Sequence, residues 1–177
     1  MDSHKTDMDS ESLPASLPDI VLRPLSTERD ISLAREIFQE YALSLGFDLS
    51  FQDFEKELAT LPGDYAEPDG LVLLAFVDEH LAGCGAFRPQ RDCDYANACE
   101  MKRLYVRPSF RGFGVGRQLT EALLECAKNT GYTTMLLDTM DQMDLARELY
   151  RSLGFEEIPP YYFNPMPGTH YLKAELV

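Results

Sequence analysis

The chain has 177 residues, enough for one domain with a real hydrophobic core, and 45% of them are apolar, as in an ordinary globular protein. A net charge of −14 argues against nucleic acid or an anionic membrane as partner, and no apolar run nears the ~20 residues of a membrane span. Four cysteines without C-x-x-C spacing and three scattered histidines give no zinc pattern.

Residues 1–19, MDSHKTDMDSESLPASLPD, read as a disordered acidic tail with no hydrophobic export segment, so reduced thiols and a cytoplasmic setting are expected. The domain is expected over 20–177. IVLRP at 20–24 reads as a first strand. Ile31, Ala34, Ile37, Phe38, Tyr41 and Leu45 carry helical spacing over 28–45, with Thr27 as cap and Gly46 as stop. A second helix is expected at 51–60, with Phe51, Phe54 and Leu58 on one face. LPGDYAEPDG then reads as a loop. Leu71–Val77 and Leu81–Phe87 form a hairpin around Asp78–His80. EMKRLYVRP is a strand that ends at Pro108. The helix after the next loop shows Leu119, Leu123 and Cys126 on one face and stops at Gly131. MLLDTM is a short buried strand, LARELYRSLGF a helix closed by Gly154, and YYFNPMPGTHYLKAELV one or two strands around a turn. The order β, α, α, β, β, β, α, β, α, β, β describes one mixed α/β domain.

Between the strand ending at Pro108 and the following helix lies FRGFGVG, with three glycines in five positions at 112–116. Such a cluster serves a tight turn or lets backbone approach a ligand, often a phosphate at a helix N-terminus. Around it, residues 100–117 hold Lys102, Arg103, Arg107, Arg111 and Arg117 against one acid, Glu100, an island that suits an anionic ligand or a solvated strand end equally. The Walker motif is absent, and Arg117 stands where a Rossmann G-x-G-x-x-G needs its last glycine. A methyltransferase-like G-x-G-x-G does fit, with Asp138 as an acid for a ribose. Against it, four residues separate the strand from Gly112, and too little chain follows for a large doubly wound sheet.

Arg111-Gly112-Phe113-Gly114-Val115-Gly116 resembles R/Q-x-x-G-x-G/A, the acetyl-CoA loop of the GNAT acetyltransferases. EMKRLYVRP before it and ARELYRSLGF after it are similar to the same family's flanking motifs, and the likeness runs from about residue 20 to the C-terminus. Met143 departs from the pattern, because many members carry asparagine there. The resemblance implies an acyl-CoA N-acyltransferase fold, a central mixed, mostly antiparallel sheet flanked by helices. It further implies that backbone from Arg111 through Gly112, Phe113, Gly114, Val115 and Gly116 to Arg117 holds the pyrophosphate of acetyl-CoA, with the basic island as an electrostatic collar. It also implies a homodimer through terminal strands.

Direct acetyl transfer to an amine makes three demands. Something takes the amine's proton, something polarises the thioester carbonyl, and something protonates the departing sulfur. The resemblance assigns the first to Glu100, at the head of the strand before the loop. It assigns the second to backbone N–H groups of Leu104, Tyr105 and Val106, where a bulge would leave donors free. Strand alternation puts Glu100, Lys102, Leu104 and Val106 on one face. Tyr150 takes the third role by resemblance, although its helical spacing alone reads as core. No G-x-S-x-G nucleophile and no activated cysteine is evident. The acceptor, a small-molecule or protein amine, would meet residues of the first two helices and the last strands. Phe38, Tyr41, Phe47, Tyr161, Tyr162 and Asn164 are available there, and the acidic surface mildly favours a cationic amine. An acyl-CoA sensor without turnover is the competing reading.

Overall fold

The computed structural model describes residues 18–177; most of the expected acidic tail lies outside them. Within that span the chain folds as β1 (Ile20–Pro24), α1 (Glu28–Ser44), α2 (Phe54–Thr60), β2 (Leu71–Val77), β3 (His80–Pro89), β4 (Ala98–Val106), α3 (Val115–Thr130), β5 (Thr134–Met140), α4 (Asp144–Ser152), β6 (Glu156–Ile158) and β7 (Thr169–Glu175). The order of elements is the one that periodicity gives. No helix among the described residues is long and apolar enough to cross a membrane.

The seven strands form one sheet in the order β1-β2-β3-β4-β5-β7-β6, and only the β4–β5 pair is parallel. Two apolar layers cover it. Leu119, Leu123 and Ala127 of α3 and Tyr150 of α4 pack on one face with Leu73, Met101 and Leu137. Ala34, Ile37 and Phe38 of α1 and Phe54 and Leu58 of α2 pack on the other with Leu74, Cys84 and Tyr105. Both faces of the inner strands are therefore buried, which is why Leu71–Val77 reads as a continuous apolar run instead of an alternation.

Local chemistry sets the boundaries. The β2–β3 hairpin turns on Asp78 and Glu79, both at positive φ (48° and 71°), the primed turn whose twist matches the flanking strands. The second helix begins later than its spacing predicts. Ser50–Gln52 form a short 3₁₀ turn, Asp53 takes a left-handed conformation at φ 54°, and α2 starts only at Phe54. The C-terminal end of α4 closes as expected, with Phe155 N–H donating to Tyr150 O at 3.0 Å and Gly154 at φ 94°.

The N-terminus of α1 is a capping box. Thr27 Oγ1 accepts from Asp30 N–H at 3.1 Å, and the Asp30 carboxylate accepts from Thr27 N–H at 3.2 Å. Asp30 is only 2% exposed, and it also takes a 2.6 Å bond from Arg23 on β1, so this box ties the first helix to the edge of the sheet. The backbone N–H of Ser26, opposed by burial and helped by Arg23, lowers the Asp30 carboxyl to about 2. The folded-state value lies below the unfolded ~3.9, so the stabilisation is complete above that pH and is lost as pH falls through 2. Thr27→Ala is expected to cost about 1 kcal/mol in urea denaturation at neutral pH. Asp30→Asn should flatten the decline in stability that the native chain shows between about pH 4 and pH 2.

Candidate active site

Strand β4 pairs with β3 along its length, but with β5 only over Ala98–Glu100. Beyond Glu100 the two parallel strands part while β5 continues against β7 to Met140. The parting coincides with a bulge in β4. Lys102 opposes Ala86 and Tyr105 opposes Cys84, so two residues, Arg103 and Leu104, lie across from Gly85 alone. Arg103 sits at φ 63°, a conformation that costs a non-glycine residue about 1–2 kcal/mol. Its guanidinium holds it there, donating to Glu57 Oε2 at 2.8 Å, Glu57 Oε1 at 3.0 Å and Gln52 Oε1 at 2.8 Å. This pair is almost wholly buried, with 2% of the Arg103 side chain and 9% of the Glu57 side chain exposed.

The bulge corrects the alternation expected from sequence. Leu104 and Val106 pack on the α3 face, whereas Glu100 and Lys102 border a cavity shared with α2 on the opposite face. Arg107 N–H bonds to Ala82 O and Tyr105 pairs with Cys84, so the ladder turns the Leu104 and Val106 amides toward the open edge beside β5. Of the three expected donors, the amides of Leu104 and Val106 lie on that edge, whereas the Tyr105 amide faces β3 and is not one of them.

Past β4, Pro108–Phe110 make a short 3₁₀ turn and the glycine segment leads into α3. Gly112 and Gly114 lie at φ 90° and 82°, and space is open around the Cβ that each lacks. Gly114 caps α3 without a side-chain bond, and no acid stands in the first turn. The first amides of a 16-residue helix are thus free to face an anion. A groove of about 930 Å³ runs over this segment, bounded by Leu104–Val106, the glycines and the start of α4. The basic island does not form a collar around it. Arg103 is spent on Glu57, and Arg107 pairs with Glu36 and Glu40 of α1. Arg111 (Nε to Val106 O, 2.9 Å) and Arg117 (bonded to Ser152 at 2.9 Å) remain beside the loop.

The groove narrows into a cavity of about 100 Å³ between the parted strands, with Tyr41, Leu45, Leu104, Met143 and Ala146 bordering both. Tyr150 and Asp138 line this waist. Tyr150 is 6% exposed, and burial raises its phenol well above its ordinary value. Among the described residues its hydroxyl has no hydrogen-bond partner, and its ring packs edge-on to Phe155 at 5.5 Å. Tyr150 is therefore at once part of the α3-side core and part of the cavity wall. Met143 brings an apolar thioether to the position where its polar counterpart would stand, with Thr139 Oγ1 at 3.6 Å from its sulfur.

Beyond the waist, across Gln52 and Lys102, opens a third cavity of about 380 Å³ on the α2 side. Glu100 lines it, 1% exposed. Glu100 Oε1 accepts from Arg88 at 3.1 and 3.2 Å, and Oε2 accepts from the Tyr161 hydroxyl at 2.5 Å. Asp138 accepts at Oδ2 from the Tyr162 hydroxyl and, at 2.9 Å, from Asn164 Nδ2. It is not placed as a ribose-holding acid. Of the residues expected to line an acceptor pocket, Tyr41 borders the groove and waist and Tyr162 the outer cavity. Tyr161 and Asn164 bond the acids, while Phe38, 0% exposed, is core. Arg88 had no signal in the sequence, being one arginine on a strand whose partner is 12 residues away.

Adjoining cavities on both faces of the sheet at the parting of β4 and β5, with a glycine loop and an uncapped helix at one of them, agree with the family resemblance read from the sequence. The GNAT acetyltransferase family model matches residues 32–155. The chain belongs to the GNAT acetyltransferase family. An uncharacterized N-acetyltransferase of Schizosaccharomyces pombe is 38% identical over 159 residues, covering 89% of this chain and 95% of that one. Another, from Dictyostelium discoideum, is 30% identical over 215 residues, covering 89% of this chain and all of that one. A GNAT-family acetyltransferase from Staphylococcus aureus Mu50 superposes with a TM-score of 0.70 at 19% identity, over 90% of this chain and all of that one. The PaiA N-acetyltransferase of Thermoplasma acidophilum, solved with coenzyme A, gives 0.65 at 20% identity over 89% of this chain and 99% of that one. This GNAT member is thus an N-acetyltransferase whose donor is an acyl-CoA, and the methyltransferase alternative falls.

Removing one partner of the buried pair at the bulge leaves the other charge unpaired. Glu57→Leu is expected to destabilise the protein by about 3–5 kcal/mol in urea denaturation. Arg107→Ala, which breaks a partly exposed pair, should cost about 1 kcal/mol or less.

Proposed function

We propose that the donor is acetyl-CoA, that it lies in the 930 Å³ groove, and that its acetyl end meets an amine at the waist beside Tyr150. The observation that carries this reading is that groove, waist and outer cavity lie in series across the gap between β4 and β5, each sharing wall residues with the next. Donor and acceptor can then enter from opposite faces and meet in line.

The amides from Arg111 to Arg117 would hold the pyrophosphate, helped by the guanidinium groups of Arg111 and Arg117. The open φ of Gly112 and Gly114 and the uncapped start of α3 fit that role. When bound, acetyl-CoA supplies a thioester whose carbonyl carbon accepts the amine nitrogen. The Leu104 and Val106 amides on the open edge of β4 stand ready to stabilise charge on the carbonyl oxygen. Tyr150 donates its phenolic proton to the sulfur as the C–S bond breaks. Burial keeps that proton on the phenol across the working range of pH, and no competing acceptor holds it. Glu100 receives the proton that the amine sheds as the C–N bond forms. Its oxygens already accept from Arg88 and Tyr161, so the Tyr161 hydroxyl is the relay to Oε2. A cytoplasmic setting agrees with the four free thiols.

Acetyl-CoA should raise the melting temperature, and CoA should be released when a competent amine is added. Tyr150→Phe and Glu100→Gln are each expected to lower kcat by about 10²–10⁴-fold, with acetyl-CoA affinity in calorimetry unchanged for Tyr150→Phe. The raised phenol value means that the acid form is lost only above its ordinary value near 10, so kcat should show no alkaline fall up to about pH 10. Binding of acetyl-CoA without turnover over a broad amine panel would favour a sensor instead. No shift with either acetyl-CoA or CoA would end the reading.

A further inference from the structure

Among the described residues two cationic side chains are buried, Lys102 and Arg103. Arg103 spends its donors on Glu57 and Gln52. Lys102 does not. Only 4% of its side chain is exposed, yet no hydrogen bond ends on Nζ, and the nearest carboxylate oxygen, Glu100 Oε1, is 3.9 Å away and already engaged by Arg88. The Tyr162 ring, 5.9 Å from Nζ, offers only its face. An ammonium has three donors, and no fully buried side-chain nitrogen among the described residues lacks a partner, so Nζ itself is not sealed off. Lys102 borders both the waist and the outer cavity, so its unspent donors meet the space through which an acceptor must pass.

The surrounding charges narrow what that acceptor carries. Arg88 is spent on Glu100 and Arg103 on Glu57. Asp138, also on the waist, has two neutral donors at Oδ2 and no ion pair. The junction therefore presents a cation that makes no hydrogen bond, Lys102, whose nearest carboxylate is the shared Glu100, and an anion without an ion pair, Asp138, both lining the waist. We propose that the acceptor is an α-amino acid, whose carboxylate is taken by Lys102 and whose amine is directed to the Asp138 side of the waist. The proposal rests on the acetyl-transfer reading and names the acceptor class of that site. An amine one carbon from a carboxylate brings one charge for each of a cation and an anion that line one small cavity, and the 380 Å³ beyond leaves room for a side chain. A lone cationic amine gains nothing from Lys102 and is repelled by it. Burial pushes the Lys102 ammonium down, with Glu100 opposing, and an incoming carboxylate would hold it charged.

The test reads acceptor binding without turnover. Each of the twenty L-amino acids and its α-amide is titrated calorimetrically into the protein, alone and saturated with unacylated CoA. At least one amino acid is expected to bind about tenfold or more tighter than its amide, the worth of one charge-assisted contact. Lys102→Met, similar in length and uncharged, should erase that preference while leaving acetyl-CoA affinity unchanged and the melting temperature equal or higher. Equal affinity of acids and amides in the native protein would overturn the proposal without need of a variant. So would a preference that survives Lys102→Met, or no amino acid bound at about 10 mM. Failure of CoA to bind would sink the acetyl-transfer reading separately, because the titrations without CoA still read Lys102.

Discussion

The buried ion pair between Arg103 and Glu57 is the constraint on which the passage depends. It fixes an extra residue in β4 at a backbone conformation that an arginine seldom adopts, and three short hydrogen bonds offset the strain. Because Glu57 stands on α2 and Gln52 just before it, the pair also fastens the second helix to the centre of the sheet. The bulge bends and twists the strand locally, and it lies just beyond the point where β4 leaves β5. Everything that can do chemistry lies within reach of that departure. The freed edge carries amides, and the gap connects the two faces.

The two mouths of the passage are built from different physics. On the α3 side the wall is mostly backbone and apolar: glycines without Cβ atoms, a helix start without a side-chain cap, and Leu104, Val106 and Leu149. On the α2 side it rests on buried charge. Glu100, Lys102 and Arg103 are all below a tenth exposed, and Arg88, Tyr161, Tyr162 and Asn164 tie the acids in place. A flexible nucleotide is suited by the first arrangement, since the same diphosphate is gripped whatever the acceptor. A small polar acceptor is suited by the second, where fixed charges discriminate between acceptors.

The overall charge of −14 plays little part in this. What matters is how the basic island is divided. Two of its members neutralise acids on the helices of the α2 side, one is left bare at the waist, and two stand at the glycine loop. The distribution divides what looks like one patch in sequence among three separate places in the fold.

Much of the fold was legible because it is local. Helical and strand spacing, the turn at Asp78–His80, the cap at Thr27 and the glycine stops at Gly131 and Gly154 are properties of a few neighbouring residues. The loop from Arg111 to Arg117, the preceding LYV and the following LYRSLGF were enough to mark the family. The left-handed Asp53 that delays α2 was not visible, because nothing but tertiary packing selects it. Nor was the bulge. Lys102-Arg103-Leu104-Tyr105 contains no glycine or proline and reads as plain alternation, and the residue that makes the bulge tenable, Glu57, is 46 positions away. The same distance in chain hid the tethering of Glu100 by Tyr161 and of Asp138 by Tyr162 and Asn164. The sequence by itself determined which elements form and where a glycine-rich turn leads into an uncapped helix, since backbone geometry and helix ends are written locally. The tertiary structure alone decided which way β4 faces after residue 102 and which buried charges stay unpaired, since both depend on partners that only folding brings together.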